Sequence, residues 1–137
     1  MSEEAKERKL NEPSEEVDRL ATLVIGCAIE VHRHLGPGYV EEVYEEALCE
    51  ELRLSRILFQ QQAPFAVHYK GKKVGEGRLD LLVGGQLLVE LKAVTALAPV
   101  HHAQAKSYLK ATSLQLALLI NFNVPILKEG VKRIVLS

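Results

Sequence analysis

RLDLLVGGQLLVELKAV, residues 78–94, reads as two strands joined at Gly84-Gly85. Apolar residues fill both arms, as a covered hairpin requires, yet Asp80, Glu90 and Lys92 interrupt them. Charges taken out of water are costly unless they are paired, so these three need partners. Glu90 and Lys92 are two apart on one strand and share a face, while Leu91 points to the other. The direction of Asp80 depends on the loop. A two-residue turn at Gly84-Gly85 pairs Asp80 with Val89 and sends Glu90 to the opposite face. An odd loop, Gly84-Gly85-Gln86, or a bulge pairs Asp80 with Glu90. Two facing carboxylates repel unless something positive lies between them. A divalent cation supplies that charge, and Mg2+ takes a few carboxylate oxygens and keeps waters. Lys92 beside it is placed to hold an attacking water or to offset charge on a phosphate. A salt bridge from Lys92 to Glu90 or Asp80 accounts for the same spacing without a metal. Spacing alone leaves both open.

Before the hairpin, residues 1–12 are polar and read as a flexible tail, leaving 13–137 as a single domain. Ser14 can cap a helix that opens with Glu15 and Glu16, acids favoured at a positive helix N-terminus. Val17, Leu20, Val24, Cys27 or Ala28, Val31 and Leu35 recur at helical spacing until Gly36-Pro37-Gly38 stops them. A second helix begins near Val40, with Val40, Val43, Tyr44, Ala47, Leu48 and Leu52 on one face. Strands follow over 57–62, 65–69, 73–83 and 87–94, punctuated by Pro64, Lys70-Gly71-Lys72 and Gly84-Gly85. Pro99 suits the first turn of a helix to about Thr112. Leu114 to Phe122 is apolar enough for a strand covered on both faces, and 131–136 predicts a last short one. The order is α-α-β-β-β-β-α-β-β, a mixed sheet flanked by helices.

The 137 residues carry a net charge of −1, which excludes a generally basic coat for nucleic acid; such contact needs a local patch or a metal. Cys27 and Cys49 lack the close spacing of a zinc site and read as small buried hydrophobes in a reducing compartment. The N-terminus has no apolar signal-peptide region, and the longest apolar run is far too short for a membrane span. A soluble, cytoplasmic protein is the expectation.

Two helices carry further candidates. Glu41 and Tyr44 are i, i+3 neighbours on a face that overlaps the apolar one, so Glu41 needs a partner if half-buried. His101, Gln104 and Tyr108 form one stripe, and His102, Lys106 and Lys110 a second beside it. The first can face a site and the second can meet phosphate. His101 is equally suited to bond a backbone group at its helix start, and Tyr44 and Tyr108 are suited to packing with a tethered hydroxyl.

Asp80 and Glu90-Leu91-Lys92 on a hairpin, followed by a helix carrying Gln104, resemble the PD-(D/E)XK nuclease superfamily. Gly38, Glu41 and Tyr44 fit the G-x-x-E-x-x-Y signature of the GxxExxY protein family. AIEVHRHLGPG, VELKAV, HHAQAKSYLKAT and LLINFNVPILKEGVKRIV also resemble it, in order, over roughly residues 17–136. Leu79 stands where the superfamily's nominal proline would be, at a position that varies. The resemblance implies an α/β restriction-endonuclease-like core, a mixed sheet flanked by helices, preceded by a two-helix N-terminal pair. It implies a divalent-metal-dependent nuclease using Mg2+ or Mn2+, with nucleic acid as partner, DNA ahead of RNA. A homodimer is the expected way to widen the footprint of so small a chain. Asp80 and Glu90 would ligate the metal, joined by the Leu91 carbonyl and by Glu41. Lys92 would steady the attacking water, and Gln104 would orient the lysine or the substrate. Tyr44, His101, Tyr108 and Lys106 would support the site or the substrate. The alternative is a non-catalytic nucleic-acid or protein binding module that keeps the fold, since a fold transfers more readily than an activity.

Overall fold

The computed structural model describes residues 12–136; the tail expected over 1–12 lies, Glu12 apart, outside them. Helix α1 spans Glu15–Leu35, and the Ser14 hydroxyl accepts from the Val17 amide at 3.2 Å, as its capping role requires. Gly36, at φ 69°, ends it with a bond from its amide to the His32 carbonyl. Helix α2 runs Glu41–Leu54 and buries Tyr44, Leu48, Cys49 and Leu52. Its inner face is rotated from the one expected. Val40 is the N-cap and 64% exposed, and Val43 also meets solvent.

Five strands follow, not six. Strand β1, Phe59–Tyr69, continues through Pro64 where two strands were expected. The sheet order β1-β2-β3-β4-β5 makes β1 an edge, and an edge residue can dispense with the amide that proline lacks. Strand β2 is Lys72–Val83 and β3 is Leu87–Lys92, both in an antiparallel meander with β1. Helix α3, Pro99–Thr112, then carries the chain to β4, Leu116–Asn121, which pairs parallel to β3. A parallel neighbour needs such a crossover. A short 3-10 turn, Leu127–Gly130, leads to β5, Val131–Ile134, antiparallel to β4 and shorter than expected.

Helices cover both faces of this sheet. Under α1 and α2 lie Leu81, Val83, Leu87, Val89, Leu91, Leu116, Leu118 and Ile120. Under α3 lie Leu79, Leu88, Ala117, Leu119 and Ile134, with Ala63 of β1. Fully burying one such side chain contributes about 1.5–3 kcal/mol, which explains why β3 and β4 read as near-continuous apolar runs. Both cysteines are buried and unpaired, as expected of small hydrophobes. Burial pushes the Cys49 thiol up to about 11, so it is inert as a nucleophile at neutral pH. Among the described residues, no helix is long and apolar enough to cross a membrane.

One irregularity positions the site. Leu79 belongs to the α3 side, whereas Leu81, two residues on, belongs to the α1–α2 side. Residues two apart on a regular strand share a face, so β2 changes face across Asp80. Strand β1 does the same at Gln62, which stands opposite Asp80 and has φ 53°. The β1–β2 pairing runs Gln61↔Leu81 and Ala63↔Leu79 and omits the pair between them. Strand β3 keeps its alternation, so β2 parts from it at Asp80.

Candidate active site

The hairpin loop is the odd one. Val83 pairs with Leu87 and Leu81 with Val89, leaving Gly84, Gly85 and Gln86 as the connection. Gly84 and Gly85 have φ of 58° and 69°, values that glycine adopts without a Cβ penalty. Extended by one step, this register sets Asp80 opposite Glu90. The backbone ladder stops there, and side chains take over its bonds. The Asp80 amide donates to Glu90 Oε1 at 3.0 Å, and the Leu91 amide donates to Asp80 Oδ2 at 2.8 Å. Each carboxylate thereby spends one oxygen on backbone and keeps another, Asp80 Oδ1 and Glu90 Oε2, outside these bonds.

Glu90 is 5% exposed. Burial, then the neighbouring charge of Asp80, raises its pKa to about 8, and Lys92 works in the opposite direction. Lys92 shares the Glu90 face, since β3 is regular. It closes no ion pair with Asp80 or Glu90, so the salt-bridge account of the spacing does not hold in the fold. Two acids and one ammonium thus meet at the splayed end of a hairpin, and the proton that Glu90 keeps at neutral pH stands where a cation could bind.

Glu41 approaches Asp80 and Lys92 from the other layer, without converging on the acid pair closely enough to make a group of three acids. Its carboxyl is pushed up by burial first and by the charge of Asp80 second, with Lys92 opposing. The first turn of α2 is therefore near Asp80 and Lys92. Gly38, at φ 113°, turns the chain into this helix, and Tyr44 holds the turn in place. The Tyr44 hydroxyl donates to the Gly36 carbonyl and accepts from the Tyr39 amide at 3.2 Å, while its ring stacks on Phe122 with centroids 4.6 Å apart. Tyr44 is fully buried, so it supports the site and has no surface to offer a substrate.

Helix α3 contributes unevenly. Half-buried Tyr108 packs on Phe65, with ring centroids 4.8 Å apart, and the Gln104 side chain acts to lower its pKa. Its phenol is pushed up by burial and then by the charges of Glu90 and Asp80, which places the Gln104–Tyr108 stripe toward the acid pair. His101 is occupied otherwise. Its Nδ1 accepts from the Ala98 amide at 2.9 Å, which caps the helix and leaves the neutral ring's proton on Nε2. Lys106 is exposed on the neighbouring stripe.

Two supports escaped the sequence reading. Asn121, in register with Lys92, is buried and ties down the loop after β3; its amide donates to the Val94 carbonyl at 2.9 Å and its oxygen accepts from the Val94 amide at 3.0 Å. The only signal was one polar residue at the end of an apolar run. Glu45 accepts from both Gln61 and Gln62, contacts that no sequence spacing announces.

A mixed five-stranded sheet between helices, with acid, acid and lysine where its central hairpin splays, is an α/β fold of the restriction-endonuclease-like class. The family model of the PD-(D/E)XK nuclease superfamily matches residues 18–134, and the chain belongs to that superfamily. No curated protein and no solved structure matches it.

Proposed function

We propose that this chain is a divalent-metal-dependent nuclease that hydrolyses phosphodiester bonds in nucleic acid, DNA before RNA. The observation that carries the reading is the mutual grip of Asp80 and Glu90, which leaves one oxygen of each acid outside the backbone bonds, with Lys92 on the Glu90 face of the same strand. Oxygen-only donors suit Mg2+ or Mn2+, which need only one or two carboxylates when waters complete the shell. That economy matters, because no group of three His, Cys, Asp or Glu side chains converges among the described residues. Asp80 and Glu90 would hold the ion, with the Leu91 carbonyl and Glu41 as further donors. The ion would supply an activated water and neutralise the scissile phosphate. Lys92 would orient the water by hydrogen bonding, and Gln104, with Tyr108 behind it, would orient Lys92 or the substrate. The GxxExxY assignment is favoured by the work each signature residue does: Gly38 turns the chain, Glu41 faces the acids and Tyr44 locks the turn.

Purified chain should cut nucleic acid with Mg2+ or Mn2+ and not with chelator, and Asp80→Ala and Lys92→Ala should remove cleavage without loss of fold. Metal-dependent cleavage retained by both folded variants would sink the reading. A binding module that keeps the fold is the alternative, favoured by the net charge of −1. It is distinguished by metal-independent binding of nucleic acid without cleavage.

A further inference from the structure

Gln61 and Gln62 are consecutive residues of β1, yet both donate to one carboxylate. Gln61 Nε2 lies 2.8 Å from Glu45 Oε2, and Gln62 Nε2 lies 2.9 Å from Glu45 Oε1. Neighbours on a regular strand point to opposite faces, so one acid on one side cannot receive both amides. The left-handed backbone of Gln62, φ 53°, removes the alternation. A residue other than glycine stays in that region only where its surroundings hold it. Here the holders are Glu45 on the side chain and Arg78 on the carbonyl, with Nη1 at 3.2 Å.

The kink falls at one level of the sheet. Gln62 stands opposite Asp80, at the pair the β1–β2 register omits. Released from β1, Asp80 turns its carboxylate toward the Leu91 amide of β3. Glu45 also lies on α2, one turn after Glu41, so the same contact anchors the helix that brings Glu41 to the acids. Glu46 adds a second acceptor for Gln61, at 2.7 Å.

We propose that Glu45, Gln61 and Gln62 form a positioning clasp for the Asp80–Glu90 site, with Gln62 holding the strand kink and Glu45 tying it to the Glu41 helix. Its purpose rests on the nuclease reading. The test uses the full chain with two readouts: Mn2+ affinity by calorimetry, and hydrogen-exchange protection of the Asp80 and Leu91 amides by NMR without metal. Gln62→Val puts a β-branched residue where φ is positive, and it should weaken Mn2+ binding about tenfold or more and deprotect both amides. Gln62→Gly tolerates the kink without the clasp and should stay within about threefold of the native affinity. Glu45→Ala changes no residue of the strands, so it decides the matter if Gln62→Val does not fold; weaker Mn2+ binding and faster exchange are expected. Native affinity and protection in a folded Gln62→Val or in Glu45→Ala would overturn the clasp, and so would equal losses in Gln62→Gly and Gln62→Val. If the native chain binds no Mn2+, the nuclease reading fails, and amide protection still decides whether the clasp holds Asp80.

Discussion

Asp80 and Glu90 each hold the other's strand: the Asp80 amide donates to Glu90 Oε1 at 3.0 Å, and Asp80 Oδ2 accepts from the Leu91 amide at 2.8 Å. A bond to a charged acceptor, as from the Leu91 amide to Asp80, is worth about 1.5–3 kcal/mol, which helps to hold the two acids together. Burial first, and the charge of Asp80 second, keep a proton on Glu90.

That proton gives the metal-free chain a pH dependence of definite sign. Glu90 titrates near 4.5 unfolded and at about 8 folded. Between those values the folded state binds more protons than the unfolded one, so stability falls as pH rises through the window. Thermal melts in chelator should show a Tm that declines from pH 5 toward pH 8. Glu90→Gln, neutral throughout, should flatten that decline; an undiminished slope would mean that another group carries it.

Metal binding should run the other way. A cation must displace the Glu90 proton, so Mn2+ affinity should rise with pH up to about 8 and binding should release a proton. Calorimetry in buffers of different ionisation enthalpy measures that release directly. Glu90→Ala should bind Mn2+ at least about tenfold more weakly. Addition of chelator to the loaded chain at pH 8 should lower its Tm.

Tyr44→Phe keeps the ring on Phe122 and removes only the hydroxyl. The Gly36 carbonyl and the Tyr39 amide then lose a partner, at a cost of about 1–3 kcal/mol. Denaturant titration should read this as a lower midpoint with unchanged m. Because the turn leads into α2, weaker Mn2+ binding should accompany it.

Gly84→Ala tests the loop. Its φ of 58° is unfavourable for alanine, and the new Cβ would meet Leu20 Cδ1 at 2.9 Å. A loss of about 1–2 kcal/mol is expected from the backbone alone. Gly85→Ala, at φ 69° with nothing within 4 Å, should lose less by the same melt.

Lys106 is exposed on α3, beside the stripe that faces the acids. If it meets a phosphate, Lys106→Ala weakens nucleic-acid binding uniformly across sequences and lowers the slope of log affinity against log salt by about 1. Cleavage chemistry at saturating substrate should be little changed.

Much of this was legible in the chain. Ser14, Gly36 and Pro99 mark helix ends because capping and turn chemistry are local, and alternation along β3 put Glu90 and Lys92 on one face. The spacing also stated the condition on which the site depends, an odd connection between Asp80 and Glu90. Three residues at Gly84–Gln86 meet it. Local chemistry misled where position in the sheet decides. Pro64 reads as a break, and only the edge position of β1 makes it harmless. Val40 reads as helix face, and only the placement of α2 leaves it outside as an exposed N-cap.

Sequence by itself determined the order of elements after β1, the apolar runs of the core and the chemical identity of the acids and the lysine, all set by residue type and short-range spacing. Tertiary structure decided how those groups meet. Glu41 lies 39 residues before Asp80 in number and reaches it through the packing of α2, and Gln104 and Tyr108 arrive through the crossover of α3. The face change at Gln62 and Asp80 was beyond spacing altogether, because a left-handed glutamine is unfavourable locally and persists through Glu45, a residue of another element.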